Sequence, residues 1–298
     1  MDLKEFKADL KPTASKHEFI SNKNIINKIL FGNIFSKIKS RGIEFEDFRK
    51  YNLTDDASRI DWKASLKANQ LLIRDSIEEK AINLLFLVDV SDTMLFSSGD
   101  KLKCEYAAEI VAGLSFAIQL GGYSSGICFF NDRIVKTIMP KGGSRQYFDI
   151  ITELKKVENY GGGCSLKNAI KNLLSIFTTP TIIVIVSDFI NLGDDWQKYI
   201  EISSLNHFII GICVRDRLDR RLPDNVGYFT LEDPSSSKKI IIDTKEAQKN
   251  YNKGIIDDEK SIDRVFKRAN SSYLIIETTE DYEKSILTFL EKKSKIIK

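Results

Sequence analysis

An α/β fold, with a mostly parallel sheet covered by helices on both faces, is what this 298-residue sequence predicts. Three observations lead to it. Apolar runs of strand length, LLFLV at 84–88 and TIIVIV at 181–186 among them, are continuous rather than alternating, as strands buried on both faces are. Amphipathic segments of helical period separate these runs. Glycine breaks, at Gly121 and in NYGGG, fall between the two kinds of segment.

The elements follow in order. Residues 22–31 (NKNIINKILF) put Ile25, Ile26, Ile29 and Leu30 on one helical face. The period alone reaches Ile38, and Gly32 supplies an earlier stop. Residues 41–68 are dense in charge and aromatics, and QLLIRDSIEE from 70 onward is extended. After the strand 82–88, Asp100 is placed to cap a helix reaching Leu120, with Gly121 as its stop. Strands over 123–130 and 133–139 precede a helix over 144–157. A helix over 165–177, a strand over 181–187, a helix over 194–205 and a strand over 207–214 continue the alternation. A short pair at 227–231 and 239–243 leads to a helix over much of 244–269, a strand at 273–278 and a last helix at 280–292. Two parts are expected: residues 1–78 as a small helical and extended appendage packed on the main domain, and 79–298 as that domain.

Composition narrows the function. A net charge of +3, from 45 Lys and Arg against 42 Asp and Glu, gives no basic half, so nucleic acid is not an expected partner. The basic tail KKSKIIK is short and reads as a solvated end. Cys104, Cys128, Cys164 and Cys213 form no C-x-x-C pair, and two of them sit in apolar strand-like runs. That pattern opposes a zinc site or a disulfide framework and favours a reducing, cytoplasmic compartment. The start MDLKEFKADLKP carries charge throughout, unlike a secretory signal. No apolar run approaches the roughly 18 residues of a bilayer span, so no membrane span is expected.

Ligands of such sheets bind outside the carboxyl ends of the strands. Three positions qualify: Asp89 after the strand 82–88, Asp188 after the strand 181–187, and GGGCS (161–165) opening a helix. Burying a carboxylate beside an apolar run is costly unless something pairs with it. In an extended chain Asp89, Ser91 and Thr93 share one side, leaving Val90 and Asp92 on the other, with Asp92 as a rim charge. Carboxylates and hydroxyls are hard oxygen donors, suited to Mg²⁺, Mn²⁺ or Ca²⁺ rather than zinc or copper.

The motif Asp89-Val-Ser91-Asp-Thr93 resembles the metal-ion-dependent adhesion site of von Willebrand factor A domains, D-x-S-x-S or D-x-S-x-T. The resemblance implies a Rossmann-like fold and a site for Mg²⁺ or Mn²⁺. There Ser91 and Thr93 would ligate directly and Asp89 through water. In that family a second-loop threonine and a third-loop aspartate complete the site. Asp188 matches the aspartate, but Cys164 stands where the threonine is expected. A thiol is a poor Mg²⁺ ligand, which leaves Ser165 or water as the substitute, or a weak site.

The flanks narrow the resemblance. EFEDFRKYNLTDDASRIDWKAS (44–65) is similar to the E-F-x-x-x-R-x-Y, acidic turn, R-x-I-D-W pattern of the bacterial domain-of-unknown-function family numbered 58. HFIIGICVRD (207–216) and IIIDTKEAQKNY (240–251) also resemble that family, over roughly 25–292 in all. The resemblance implies an adaptor that works with a MoxR-type AAA+ ATPase and its protein clients. Many members carry N-terminal membrane helices, and this sequence shows none.

Competing readings are weaker. A metal-dependent hydrolase or phosphotransferase would use Asp89 as nucleophile or base. Yet Ser91 stands where a haloacid-dehalogenase-type phosphatase needs aspartate, no Walker A is present, and no G-x-G-x-x-G follows the first strand. His17 and His207 have no nucleophile pattern near them, and His207, heading a strand, is expected to be structural. An extracellular adhesion domain would call for a secretion signal and disulfides. Asp194 and Asp195 read as an N-cap and first-turn charge. Trp62 is expected to pack, with the charges around it holding the N-terminal segment to the sheet, while Arg49 and Arg59 stay open as partner contacts.

Overall fold

β-Branched and large apolar residues crowd the two central strands, β3 (Asn83–Asp89) and β6 (Thr181–Ser187), which are buried almost from end to end. The computed structural model describes residues 6–8, 10, 17–32, 48–52, 55–74, 83–222, 227–232 and 239–296. The main sheet adds β4 (Ser124–Phe130), β5 (Ile134–Lys141), β7 (Phe208–Arg215) and β10 (Ser272–Glu277) in the order β10-β7-β6-β3-β4-β5. Every neighbouring pair is parallel except β4 with β5. The predicted α/β class holds.

Alternate side chains of β3 feed two cores. Leu84, Phe86 and Val88 enter the one built with α4 (Lys103–Leu120), α5 (Ser144–Leu154) and α10 (Tyr282–Ile296). Leu85 and Leu87 enter the other, with α6 (Leu166–Ile176), α7 (Trp196–Ser203) and α9 (Thr244–Arg268). This two-faced burial is the physical reason that the strands read as continuous apolar runs. From β3 the chain moves to β4 on one side, and β6, β7 and β10 lie on the other. The direction of winding therefore reverses between β3 and β6, the switch point where ligand sites of open α/β sheets form.

α4 is buried nearly all round, because α1 (His17–Ser21) and α2 (Lys23–Asn27) cover its outer side. Phe19 lies against Gly113, and Asn27 Nδ2 donates to Ala117 O at 3.0 Å. A Cβ at Gly121 would sit 2.0 Å from that amide, so glycine is needed there for close approach. The left-handed residue at the helix end is Gly122, φ +81°, and not Gly121, φ −82°. At the other end Asp100 is not the cap. The helix starts at Lys103, and Glu105 accepts from the backbone N–H of Leu102 at 3.0 Å and from that of Lys7. One side chain thus caps α4 and ties residue 7 to it.

The helix expected at 22–31 is α2 followed by a wider π-type turn over Lys28–Gly32. Ile26, Ile29 and Leu30 are buried as predicted, but Ile25 is exposed. The stretch on to Ile38 lies outside the described residues. A separate unit pairs β1 (Phe48–Lys50) antiparallel with β2 (Leu72–Arg74), with α3 (Trp62–Ala68) between them. Trp62 does not pack: it is 64% exposed. The inner face of α3 belongs instead to Ser65, whose Oγ accepts from Leu72 N at 2.8 Å. The side chains of Arg49 and Arg59 lie outside the described residues. Further along, α8 (Arg217–Arg220) was not foreseen, and β8 (Tyr228–Glu232) pairs antiparallel with β9 (Lys239–Asp243).

His207, just before β7, is 2% exposed, and burial holds its pKa below the ordinary 6.5. The unfolded chain then binds the proton more readily than the folded one. Stability from this group is present above about pH 6.5 and falls as pH drops below it, by at most about 1.4 kcal/mol per pH unit. Urea melts at pH 7.5 and 5.5 are expected to show this loss, and His207→Gln to reduce it.

Candidate functional site

The parallel register sets Val88 beside Val186, so the next residues, Asp89 and Ser187, end adjacent strands at the switch point. Ser187 Oγ donates to Asp89 Oδ2 at 2.6 Å and accepts from Phe189 N at 2.9 Å. Asp89 Oδ1 accepts from Ser91 N at 2.9 Å. That bond folds the chain back into a 3₁₀ turn over Asp92–Leu95, so the expected extended alternation does not operate. The turn still brings the Ser91 and Thr93 hydroxyls together, 3.2 Å apart.

Asp92, expected as a rim charge, clasps the second loop. Its N–H donates to Gly162 O at 2.9 Å, and its Oδ1 accepts from Gly162 N at 3.0 Å. Gly161 and Gly162 have φ of +113° and +95°, conformations an L side chain rarely adopts. Two residues beyond Gly162, the Cys164 thiol donates to Asp89 Oδ2 at 3.6 Å. Ser165 caps α6, its Oγ accepting from Asn168 N at 3.4 Å. Asp195 occupies the N-cap of α7 but makes no capping bond, and pairs with Lys167 at 3.2 Å.

Asp188 is fully buried, and a residue that sequence reasoning missed holds it. Lys103 Nζ lies 2.7 Å from Asp188 Oδ2 and 2.7 Å from Asp219 Oδ2, with the lysine only 1% exposed. Burial acts to lower its pKa, and the charges of Asp188 and then Asp219 more than offset this, so the net direction is upward. Asp219 Oδ2 also accepts from Asp216 N at 3.0 Å, and Asp216 Oδ2 from Ser98 N at 2.9 Å. One buried ammonium thus links the third-loop aspartate to the loops after β7 and β3. The available signal was a lysine in the first turn of a largely apolar helix, where a cation opposes the helix dipole and needs a partner.

Asp89 has no ammonium of its own. Burial foremost, and then the negative charge of Asp188, push its pKa up to about 6. The Cys164 thiol is pushed well above its ordinary range, by burial first and by Asp89 second, so it is not a thiolate. Among the described residues no group of three or more His, Cys, Asp and Glu could hold a metal ion. An ion at this place would therefore rest on hydroxyls and water. The donor set suits that: at Mg–O distances near 2.1 Å, adjacent oxygens of an octahedron lie about 3 Å apart, close to the Ser91–Thr93 separation. Asp89 supplies a negative charge that a divalent ion would offset.

The chain is similar to an uncharacterised protein of Mycobacterium tuberculosis, 22% identical over 276 residues, covering 91% of this chain and 86% of that one. A Mycobacterium bovis counterpart gives the same figures. Among solved structures, the conserved hypothetical protein BatB from Bacteroides thetaiotaomicron aligns with a TM-score of 0.50 and 16% identity. That alignment covers 72% of this chain and 99% of BatB. A von Willebrand factor type A protein from Catenulispora acidiphila aligns at TM-score 0.42 and 11% identity, over 72% of this chain and 42% of its own. The α/β fold with its mostly parallel six-strand sheet is thus shared with BatB. The family described as "Protein of unknown function DUF58" matches residues 47–261, most of the chain, and the protein belongs to that family.

Proposed function

We propose that this protein is a non-enzymatic interaction module whose strand-end site binds Mg²⁺ or Mn²⁺ and, through the ion, a carboxylate of a partner. Ser91 and Thr93 would hold the ion directly, with Asp89 and Asp188 acting through water. Cys164 and Ser165 flank it. The observation that carries this reading is the Ser91–Thr93 hydroxyl pair, 3.2 Å apart beside the buried carboxylate of Asp89. Mg²⁺ keeps several waters, and a partner's Asp or Glu can replace one of them. On the family resemblance, the partner is a MoxR-type AAA+ ATPase or a protein that it matures or remodels. The setting is the cytoplasm, which the four free cysteines support. Among the described residues no helix is long and apolar enough to cross a membrane.

Hydrolysis or phosphoryl transfer through Asp89 is the second reading. Against it, both carboxylate oxygens already accept hydrogen bonds, from Ser91 N–H and Ser187 O–H, which dulls a nucleophile. His207 precedes β7, at the opposite end of the sheet from Asp89, and so is out of reach as a base.

Pull-down with the purified ATPase in Mg²⁺ and in chelator separates the readings. The wild type should capture it in Mg²⁺ and lose it in chelator, and Asp89→Ala should behave as chelated. Capture undiminished by both would sink the metal-dependent module, and turnover of phosphate or ester substrates lost on Asp89→Asn would favour the enzyme.

A further inference from the structure

The ammonium of Lys103 lies between two carboxylates, one belonging to the strand-end site and one outside it. Its Nζ donates to Asp188 Oδ2 and to Asp219 Oδ2, each at 2.7 Å. Asp188 Oδ1 accepts from Ile190 N at 2.9 Å, so both oxygens of this aspartate are engaged. Asp188 is fully buried, whereas the Asp219 side chain keeps 12% exposure. The same lysine is fixed to the first loop. Its N–H donates to Phe96 O at 3.2 Å, and its Nζ stands 5.6 Å from the centre of the Phe96 ring. Phe96 N in turn donates to Thr93 O at 3.4 Å, closing the turn that brings Ser91 and Thr93 together. The charge of Asp188 is felt at Asp89, where only burial does more to raise the pKa. Whatever cancels the charge of Asp188 therefore acts on the site itself.

We propose that Lys103 is a resident counter-cation that competes with the divalent ion for Asp188 and so holds the site's affinity low. The inference rests on the ion site proposed above. An oxygen held at 2.7 Å by an ammonium is not free to order a water of the ion, and two cations serving one carboxylate repel each other. Asp219 is the second acceptor, on which the ammonium stays paired when Asp188 turns to the ion. That acceptor is itself held in place. Asp219 Oδ2 accepts from Asp216 N at 3.0 Å, and the Asp216 carboxylate accepts from Leu218 N and Ser98 N. Lys103 is thus a positioning residue, acting on the ion only through Asp188. Outer partners of metal ligands change affinity by 10–100-fold, which is the scale of effect open to it. Weak binding of the ion alone leaves a partner's carboxylate to complete the site, so ion and partner each strengthen the other's binding.

The test is calorimetric titration of Mg²⁺ into the full-length protein, with thermal midpoints measured beside it. Lys103→Met alone strands two carboxylates, so the charge-balanced pair Lys103→Met with Asp219→Asn takes its place. That double variant frees Asp188 and should bind Mg²⁺ about tenfold more tightly than the wild type. Asp219→Asn alone leaves the ammonium to Asp188 and should weaken Mg²⁺ about tenfold. Mg²⁺ should also raise the midpoint of the double variant more than that of the wild type. A merely structural role weakens binding in both variants and does not give opposite directions. Asn keeps an acceptor oxygen at position 219, so this single variant should fold as the wild type does, and unchanged affinity in it is enough to overturn the proposal. Equal affinities in all three proteins, or weaker binding in both variants, overturn the role of Lys103 and leave the ion site standing. No binding in any of them overturns the ion site and the inference with it. Binding by the double variant alone upholds the role of Lys103 and removes the ion-dependent function of the wild type.

Discussion

Lys103→Met is expected to lower stability by about 3–5 kcal/mol, because it removes one partner of a buried ion pair and strands the other. The ammonium is 1% exposed and serves Asp188 and Asp219 together, so both carboxylates lose their counter-charge at once. For a chain of this size the thermal midpoint should fall on the order of 10 °C. Lys103→Met combined with Asp219→Asn should lose less than the sum of the two single changes, since the second change removes one stranded charge. A loss below about 1 kcal/mol for Lys103→Met alone would mean that the two aspartates find other partners.

Ser91→Ala with Thr93→Val should instead leave stability within about 1 kcal/mol of the wild type. The two hydroxyls bond to each other, so neither is orphaned, and Asp89 loses its Ser91 side-chain bond but keeps those from Ser91 N–H and Ser187 O–H. Ion binding is where the change should appear. Removing both proposed ligands should weaken Mg²⁺ at least on the order of a hundredfold, since loss of even an outer-shell partner costs 10–100-fold. Capture of the ATPase should fall with it. Destabilisation by several kcal/mol would show that the pair has a structural role beyond holding an ion.

Much of the fold was legible because its central strands are buried on both faces. LLFLV and TIIVIV can be little else when amphipathic helices separate them, and strand ends then mark the site. Cys164 and Asp89 lie together at the switch point, and the charge of Asp188 acts on Asp89 there. What was not legible depends on distant partners or local hydrogen bonds. Lys103 reaches Asp188 across 85 positions, which no local pattern records. Thr93 joins Ser91 through a turn set by the Asp89 side chain, where pleated alternation was expected. The Asp100 cap fails because Glu105 does that work from within the helix. Trp62 misleads for the opposite reason: its size predicts burial, and Ser65 takes the buried position.

Calorimetric titration of Mg²⁺ into the wild type and the Ser91→Ala, Thr93→Val double variant tests the account most directly. One ion per chain should bind the wild type, and no binding should be measurable in the variant. Equal heats from both proteins, or no binding to the wild type, would contradict the account.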